Sequence, residues 1–257
     1  MINIEQILEQ YPEQLRVYKE SILKEYLQCK ILYSIFESKY ANKLSFLGGT
    51  ALRILYGNTR FSEDLDFDNL NITEKEFLEL GEIIKKDLEL EGLKVEIDIK
   101  TKNAYRLNIR IPKLLFDLKF SLMQTQKILI QIDTVSQNFN YSAEEIVLNK
   151  FEVFTRVRTT PRNIILSKKI HAVFDRKRIM GRDFFDIVFL YGIGATPDFD
   201  YLNKTIKVKN NLELKAYFLE NIENLDFNLL AKDVEPFLFN PKDKNKVLFF
   251  KDFVQGL

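Results

Sequence analysis

The sequence predicts an α+β fold: a mixed sheet with covering helices over residues 1–145, followed by a mostly helical domain over residues 146–257. Three observations carry this expectation. Up to about residue 140, short runs with period-two alternation of apolar side chains are interleaved with longer stretches of helical spacing. Four strand-like runs, 93–100, 105–111, 117–122 and 128–135, follow one another without an intervening helix, so the sheet is not purely parallel. After Asn138 the pattern turns mostly helical, with no repeat, low-complexity segment or Gly/Ser tether, so a boundary near 140–160 reads as a hinge between packed lobes.

In chain order, residues 3–40 carry apolar spacing suited to helices that cover a sheet, and Pro12 is placed to start the second of them. Residues 43–47 read as a strand closed by Gly48-Gly49, and Thr50 opens a helix that Gly57-Asn58 ends. The acidic run 64–67 reads as a strand in which Asp64 and Asp66 share one face and Leu65 and Phe67 the other. Thr73 with Glu76 forms a capping box for a helix to about Leu90, stopped by Gly92. In the run 128–135, Ile128, Ile130 and Ile132 face one way and Leu129, Gln131 and Asp133 the other. Residues 152–157 read as one more strand, and helices are expected at 162–178, 183–192, 211–222, 226–238 and 244–255.

Composition narrows the function classes. With 46% hydrophobic residues and 22 Phe in 257 residues, the chain has ample material for a core. Its apolar runs fall far short of the roughly 20 residues that span a bilayer, and its start lacks a signal peptide's basic and apolar regions, so no membrane partner and a cytoplasmic location are expected. One cysteine, Cys29, and one histidine make a zinc site improbable; any metal here should be oxygen-bound. The net charge of +1 hides an asymmetry: thirteen acids against four lysines over 61–98, and nine Lys or Arg against one acid over 156–182. Two solvated helical faces would give this pattern, and so would a metal site beside a polyphosphate site.

The residues with chemistry cluster at Gly48-Gly49-Thr50 and Asp64-Leu65-Asp66. A glycine turn feeding a helix N-terminus is an anion site, because unpaired N–H donors and the helix dipole favour negative charge and glycine lets backbone approach phosphate. The Thr50 hydroxyl can add a hydrogen bond. Alone, Gly-Gly before a helix is more often a plain turn, and Asp-x-Asp an exposed strand face. Together, Asp64 and Asp66 can hold Mg²⁺, or Mn²⁺ in its place, with substrate phosphate oxygens completing the shell. If the strand of Asp133 neighbours that of Asp66, the three acids converge, and Asp133 can hold metal and help deprotonate an acceptor hydroxyl.

Gly-Gly-Thr followed by Asp-x-Asp resembles the signature of nucleotidyltransferases of the DNA polymerase beta type. The fuller string Gly48-Gly49-Thr50-Ala51-Leu52 with Arg60-Phe61-Ser62-Glu63-Asp64-Leu65-Asp66-Phe67 is similar to the AbiEii/AbiGii toxin family within that superfamily. So is the later Lys169-Ile170-His171-Ala172, followed by Arg176 and Gly181-Arg182-Asp183-Phe184-Phe185-Asp186. The resemblance spans roughly residues 44–192. It implies a nucleotidyltransferase-like sheet and a helical domain completing the cleft. It further implies that Gly48, Gly49 and Thr50 hold an NTP triphosphate, that Asp64 and Asp66 hold metals, and that Ser62 lies near the nucleotide. By the same resemblance Lys169, with Lys168 as an alternative, neutralises phosphate charge, while Arg182, Asp183 and Asp186 complete the site.

Local physics offers another account of that second signature: Asp183 as a helix N-cap, Asp186 at the third helical position, and Arg182 paired with Asp186. The activity implied is transfer of a nucleoside monophosphate to an acceptor hydroxyl, with the tRNA 3′ end as acceptor. The biological setting implied is a bacterial toxin with a cognate antitoxin. A small-molecule, antibiotic-type nucleotidyltransferase and a non-catalytic RNA- or partner-binding protein are the alternatives. The basic block over 156–182 is suited to RNA phosphates, and His171 reads as packed or surface rather than catalytic.

Overall fold

A computed structural model describes residues 2–102, 104–136 and 138–257. The chain divides into two compact units, Met1–Tyr56 with Phe61–Thr160, and Gly57–Arg60 with Pro161–Leu257. The expected break at 145/146 falls inside a strand, and the first unit runs on to Thr160. The short segment Gly57–Arg60 belongs to the helical unit although both its flanks belong to the other. Among the described residues no helix is long and apolar enough to cross a membrane.

The first unit contains α1 (Ile4–Glu9), α2 (Lys19–Phe36), β1 (Leu44–Leu47), α3 (Gly48–Tyr56), β2 (Leu65–Asn69) and α4 (Glu74–Leu90). After these come β3 (Glu96–Lys100), β4 (Tyr105–Pro112), α5 (Leu114–Asp117), β5 (Lys127–Ser136), β6 (Glu144–Lys150) and β7 (Val153–Thr159). They form one seven-stranded mixed sheet in the order β3-β4-β5-β2-β1-β7-β6. β2 and β5 pair in parallel, as do β1 and β7, while the remaining neighbours are antiparallel. The acidic strand thus sits at the centre, between β1 and β5.

Helix α2 is buried on most of its sides from Ile22 onward, with Glu25, Gln28 and Ser34 buried among its apolar residues, because it is covered by the sheet and by α1 and α4. It lies over the sheet face that carries Leu65 and Phe67, with the Phe36 and Phe67 rings 6.3 Å apart. Each such fully buried Leu, Ile or Phe contributes about 1.5–3 kcal/mol. The Thr73–Glu76 capping box of α4 is formed in both directions. Pro12, expected to start the second helix, opens only a 3-10 turn over Glu13–Leu15, and α2 begins at Lys19.

Two sheet expectations fail for local reasons. The run 117–122 is not a strand: Lys113 and Lys119 adopt left-handed backbone, and burial of Leu114 and Leu115 winds the preceding residues into α5. Strand β6 was not expected, because inward apolar positions are few; Leu148 is buried while Glu144, Glu145, Val147 and Asn149 are exposed. It exists as the partner of β7 in a hairpin.

The second unit contains α6 (Arg162–Asp175), α7 (Gly181–Gly192), α8 (Phe199–Ile206), α9 (Asn211–Ile222), α10 (Phe227–Val234), α11 (Asn245–Leu248) and α12 (Phe250–Gln255). Its core is an edge-to-face aromatic cluster, with Phe184 4.7 Å from Phe250 and 5.3 Å from Phe227, and Phe218 5.5 Å from Phe250. The first residue of α7 must be small: a Cβ on Gly181 would stand 1.8 Å from the Leu230 carbonyl oxygen of α10. Helix α10 ends at Val234, earlier than expected, because Pro236 cannot continue the ladder. The expected helix at 244–255 is broken at Phe249. The unexpected α8 is capped by Asp198, whose carboxylate accepts from the Tyr201 N–H at 2.8 Å.

Candidate active site

The acidic face follows from strand periodicity. Leu65 and Phe67 are buried, so Asp64, Asp66 and Asp68 emerge on the opposite face. Asp66 pairs across the ladder with Leu47 of β1 on one side and with Asp133 of β5 on the other. The expected adjacency of the Asp66 and Asp133 strands is therefore present. Asp68, further along the same face, is buried and accepts from the Tyr141 hydroxyl at 2.6 Å and the Thr160 hydroxyl at 3.3 Å.

The turn from β1 into α3 is built against these acids. Gly48 has φ +83°, and a Cβ there would lie 2.2 Å from Asp66 Oδ2, so glycine supplies both the left-handed backbone and room for the carboxylate. Gly48 is already the first residue of α3, two residues ahead of the expected start, with Gly49 and Thr50 completing the turn. Thr50 corrects the reading of a hydroxyl aimed at phosphate. It is fully buried, and its hydroxyl donates to the Asp64 backbone carbonyl, so it ties the helix start to the acidic segment.

Ser62 and Glu63 are held through their carbonyl oxygens, which accept from Gln28 Nε2 of α2 at 3.0 and 2.8 Å. Arg53, one turn beyond Thr50, donates to Glu25 of α2 at 2.9 Å. Burial would raise the Glu25 carboxyl's pKa, but the Arg53 and Lys150 cations outweigh it and hold it below the usual range. The site loop and α3 are both anchored to the best-buried helix of the unit.

Asp133 carries a feature that the sequence did not disclose. Arg106 of β4, directly opposite in the ladder, donates from Nε to Oδ1 at 2.6 Å and from Nη2 to Oδ2 at 3.1 Å. Gln131 Nε2 adds a third donor at 2.7 Å. The alternation Arg106, Asn108, Arg110 could have placed Arg106 on an outer strand face, but nothing in the sequence fixes its register against Asp133.

The second signature lies within the helical unit and is densely paired. Lys169 of α6 donates to Asp183 Oδ1 at 2.8 Å and reaches Asp186 Oδ2 at 2.9 Å. Arg60 grips Asp186 with a fork, Nε to Oδ1 at 2.8 Å and Nη2 to Oδ2 at 2.6 Å, and Asn58 Nδ2 donates to Oδ1 at 2.9 Å. Arg176 stands 3.3 Å from the second Asp183 oxygen. Both carboxylates are fully buried. Burial would push the Asp186 carboxyl up, but Arg60 and Lys169 outweigh it and hold it well below the usual range. The reverse competition, with Asp183 and Asp186 outweighing burial, raises the Lys169 ammonium.

Three local expectations change here. Asp183 is not the N-cap, since α7 starts at Gly181 after Met180; Asp186 lies well past the third position; and its partner is Arg60 rather than Arg182. Lys169, expected to meet phosphate, is buried between two carboxylates. Arg182 is half-buried and forms no ion pair among the described residues. The basic block is divided, with Arg156 and Arg158 on β7 of the first unit and the rest in the second. His171 is half-buried, edge-on to Tyr201 at 6.4 Å, as a packing residue.

Hard oxygen donors beside a glycine cradle suit Mg²⁺, which takes one or two carboxylates and substrate oxygens. Asp64 and Asp66 fit that requirement, and Asp133 adjoins them in an existing ion pair. Among the described residues no group of three or more Asp, Glu, His or Cys side chains is already gathered for a metal.

Comparison with known proteins agrees with this frame. The chain is similar to JHP933 from Helicobacter pylori, with 20% identity, TM-score 0.55, and coverage of 91% of this chain and 90% of that one. It is also similar to MenT4, a nucleotidyltransferase toxin from Mycobacterium tuberculosis H37Rv, with 15% identity, TM-score 0.56, and coverage of 100% and 91%. At these identities the likeness shows the fold. No curated protein is similar enough to count as a match. The nucleotidyl transferase AbiEii toxin family, of type IV toxin–antitoxin systems, matches residues 30–252, which takes in both signatures; the chain is a nucleotidyltransferase that belongs to this family.

Proposed function

We propose that this chain moves a nucleoside monophosphate from an NTP to a hydroxyl of an RNA acceptor, the 3′ end of a tRNA. On this reading it acts in the cytoplasm as the toxin of a pair whose cognate antitoxin counters it. The observation that carries the reading is the Gly48–Asp66 cradle, where the start of α3 is fitted around a carboxylate in register with Asp133. The N–H groups of the first turn of α3, at Gly48, Gly49 and Thr50, suit the triphosphate. Asp64, Asp66 and Asp133 are the residues for Mg²⁺ or Mn²⁺, which when bound supplies charge neutralisation for the leaving pyrophosphate.

The acceptor oxygen forms a bond to the α-phosphorus as the bond to pyrophosphate breaks, and the hydroxyl proton passes to Asp133 or to water. The protein's part is positioning and electrostatics, as is usual for phosphoryl transfer. Ser62, on the anchored loop, borders the nucleotide. Lys169, Asp183 and Asp186 act as the internal brace of the helical unit.

The test is labelling of total RNA by each α-labelled NTP with Mg²⁺, an aminoglycoside being offered in parallel. RNA labelling by the wild type and none by Asp64→Ala is the expected outcome. Equal labelling by both proteins, or labelling of the aminoglycoside alone, overturns the reading.

A further inference from the structure

Arg106 lies on the acidic face, yet the reaction as written gives it no part. Its guanidinium and the Gln131 amide place three donors on the two oxygens of Asp133. The fork is well formed but open to solvent, with Arg106 half-exposed and Asp133 about a quarter exposed. Exposed pairs of this kind contribute little to folding. A cation of higher charge can therefore compete for this carboxylate without unfolding the strand.

We infer that Arg106 is a positioning residue that acts through Asp133: it is the resident counter-ion of the third carboxylate, which a divalent ion must displace before three acids can serve together. The inference rests on the reading of Asp64, Asp66 and Asp133 as the metal-binding face. Nucleotide-free protein then binds a divalent cation weakly. Bound NTP, whose phosphates bring more negative charge, shifts the competition toward the metal. Metal affinity is thereby coupled to nucleotide, and by linkage nucleotide affinity to metal.

The experiment titrates Mn²⁺ into the full, nucleotide-free chain and follows free Mn²⁺ by electron paramagnetic resonance. Arg106→Met removes one positive charge from beside the carboxylates and is expected to bind Mn²⁺ about tenfold more tightly than wild type. Arg106→Lys, which keeps charge without the fork, falls between them. Arg106→Met combined with Asp133→Asn loses the gain. A merely structural ion pair leaves Mn²⁺ affinity where it is, so unchanged affinity in a folded Arg106→Met protein overturns the inference. So does a gain that survives Asp133→Asn. Because binding is read without turnover, RNA labelling with no change in Mn²⁺ affinity removes the role of Arg106 alone. Tightened Mn²⁺ binding without RNA labelling keeps that role and removes the RNA-transfer reading.

Discussion

The acidic face of β2 and the ion cluster of α6 and α7 use the same residue types to opposite ends. On β2, Asp64 and Asp66 are half-buried, and the carboxylate of Asp66 fills the space left by a glycine. In the helical unit, Asp183 and Asp186 are fully buried and bound by Lys169, Arg60 and Asn58. Both arrangements appear in the sequence as acids beside basic residues. The difference teaches that burial, rather than residue type or spacing, separates carboxylates within reach of solvent from those enclosed in a core.

The largest expected effect tests that contrast directly. Asp186→Ala leaves Arg60 and Lys169 buried without their shared partner, which costs about 3–5 kcal/mol, a large part of the roughly 5–15 kcal/mol typical of a whole domain. Its urea unfolding midpoint should fall sharply. Asp66→Ala, at a half-buried position, should lower the midpoint less than Asp186→Ala does, while losing several kcal/mol of transition-state stabilisation, roughly a thousandfold in RNA labelling. Equal destabilisation by the two substitutions would erase the contrast.

The two glycines sharpen it next. Gly48→Ala forces a left-handed alanine whose methyl meets a side-chain carboxylate, so it costs about 1–2 kcal/mol of stability while displacing Asp66 and cutting labelling strongly. Gly181→Ala meets a backbone carbonyl, which has less freedom to move, so about 1–3 kcal/mol or more of stability is lost. Thermal unfolding and labelling of both variants separate the cases: Gly48→Ala should lose the larger share of activity and Gly181→Ala the larger share of stability.

How much of this was legible depends on the range of the interactions concerned. Period-two alternation in 128–135 placed Asp133 on the polar face of its strand, because a strand's side-chain direction is local. The Gly-Gly turn and the Thr73 cap were legible for the same reason. The pairing of Asp186 was not, since its fork comes from Arg60, which lies 126 residues away in sequence and belongs to the helical unit through Gly57–Arg60. Nor was the fork between Arg106 and Asp133, which depends on strand register. Thr50 shows the same limit: its residue type fits a phosphate loop, and only the fold commits its hydroxyl to the Asp64 carbonyl.

A smaller effect comes with acid. The unfolded chain protonates Asp186 near about pH 3.9, whereas Arg60 and Lys169 lower the folded value below that. The residue's contribution to stability is therefore complete above about pH 3.9 and declines as pH falls from there toward the folded value. Asp186→Asn lacks that titration. The stability gap between wild type and Asp186→Asn, measured by urea unfolding from about pH 6 to about pH 3, should narrow at the acid end. A constant gap would mean that the pair does not set this carboxyl's protonation.

Thr50→Val gives the smallest expected change and the finest probe of the acidic face. Valine matches threonine in shape, so packing in the first turn of α3 is kept and only the hydroxyl is lost. The Asp64 carbonyl then loses its donor, a loss of about 1 kcal/mol for a hydrogen bond of this kind and a modest fall in unfolding midpoint. That hydroxyl fixes the peptide that carries the first acid of the pair, so the larger consequence should be kinetic. Labelling at saturating NTP should fall several-fold, with nucleotide KM little changed, if Thr50 works through the position of Asp64. A rise in KM with unchanged turnover would instead show the hydroxyl acting on the phosphates and restore the role that the sequence suggested for it.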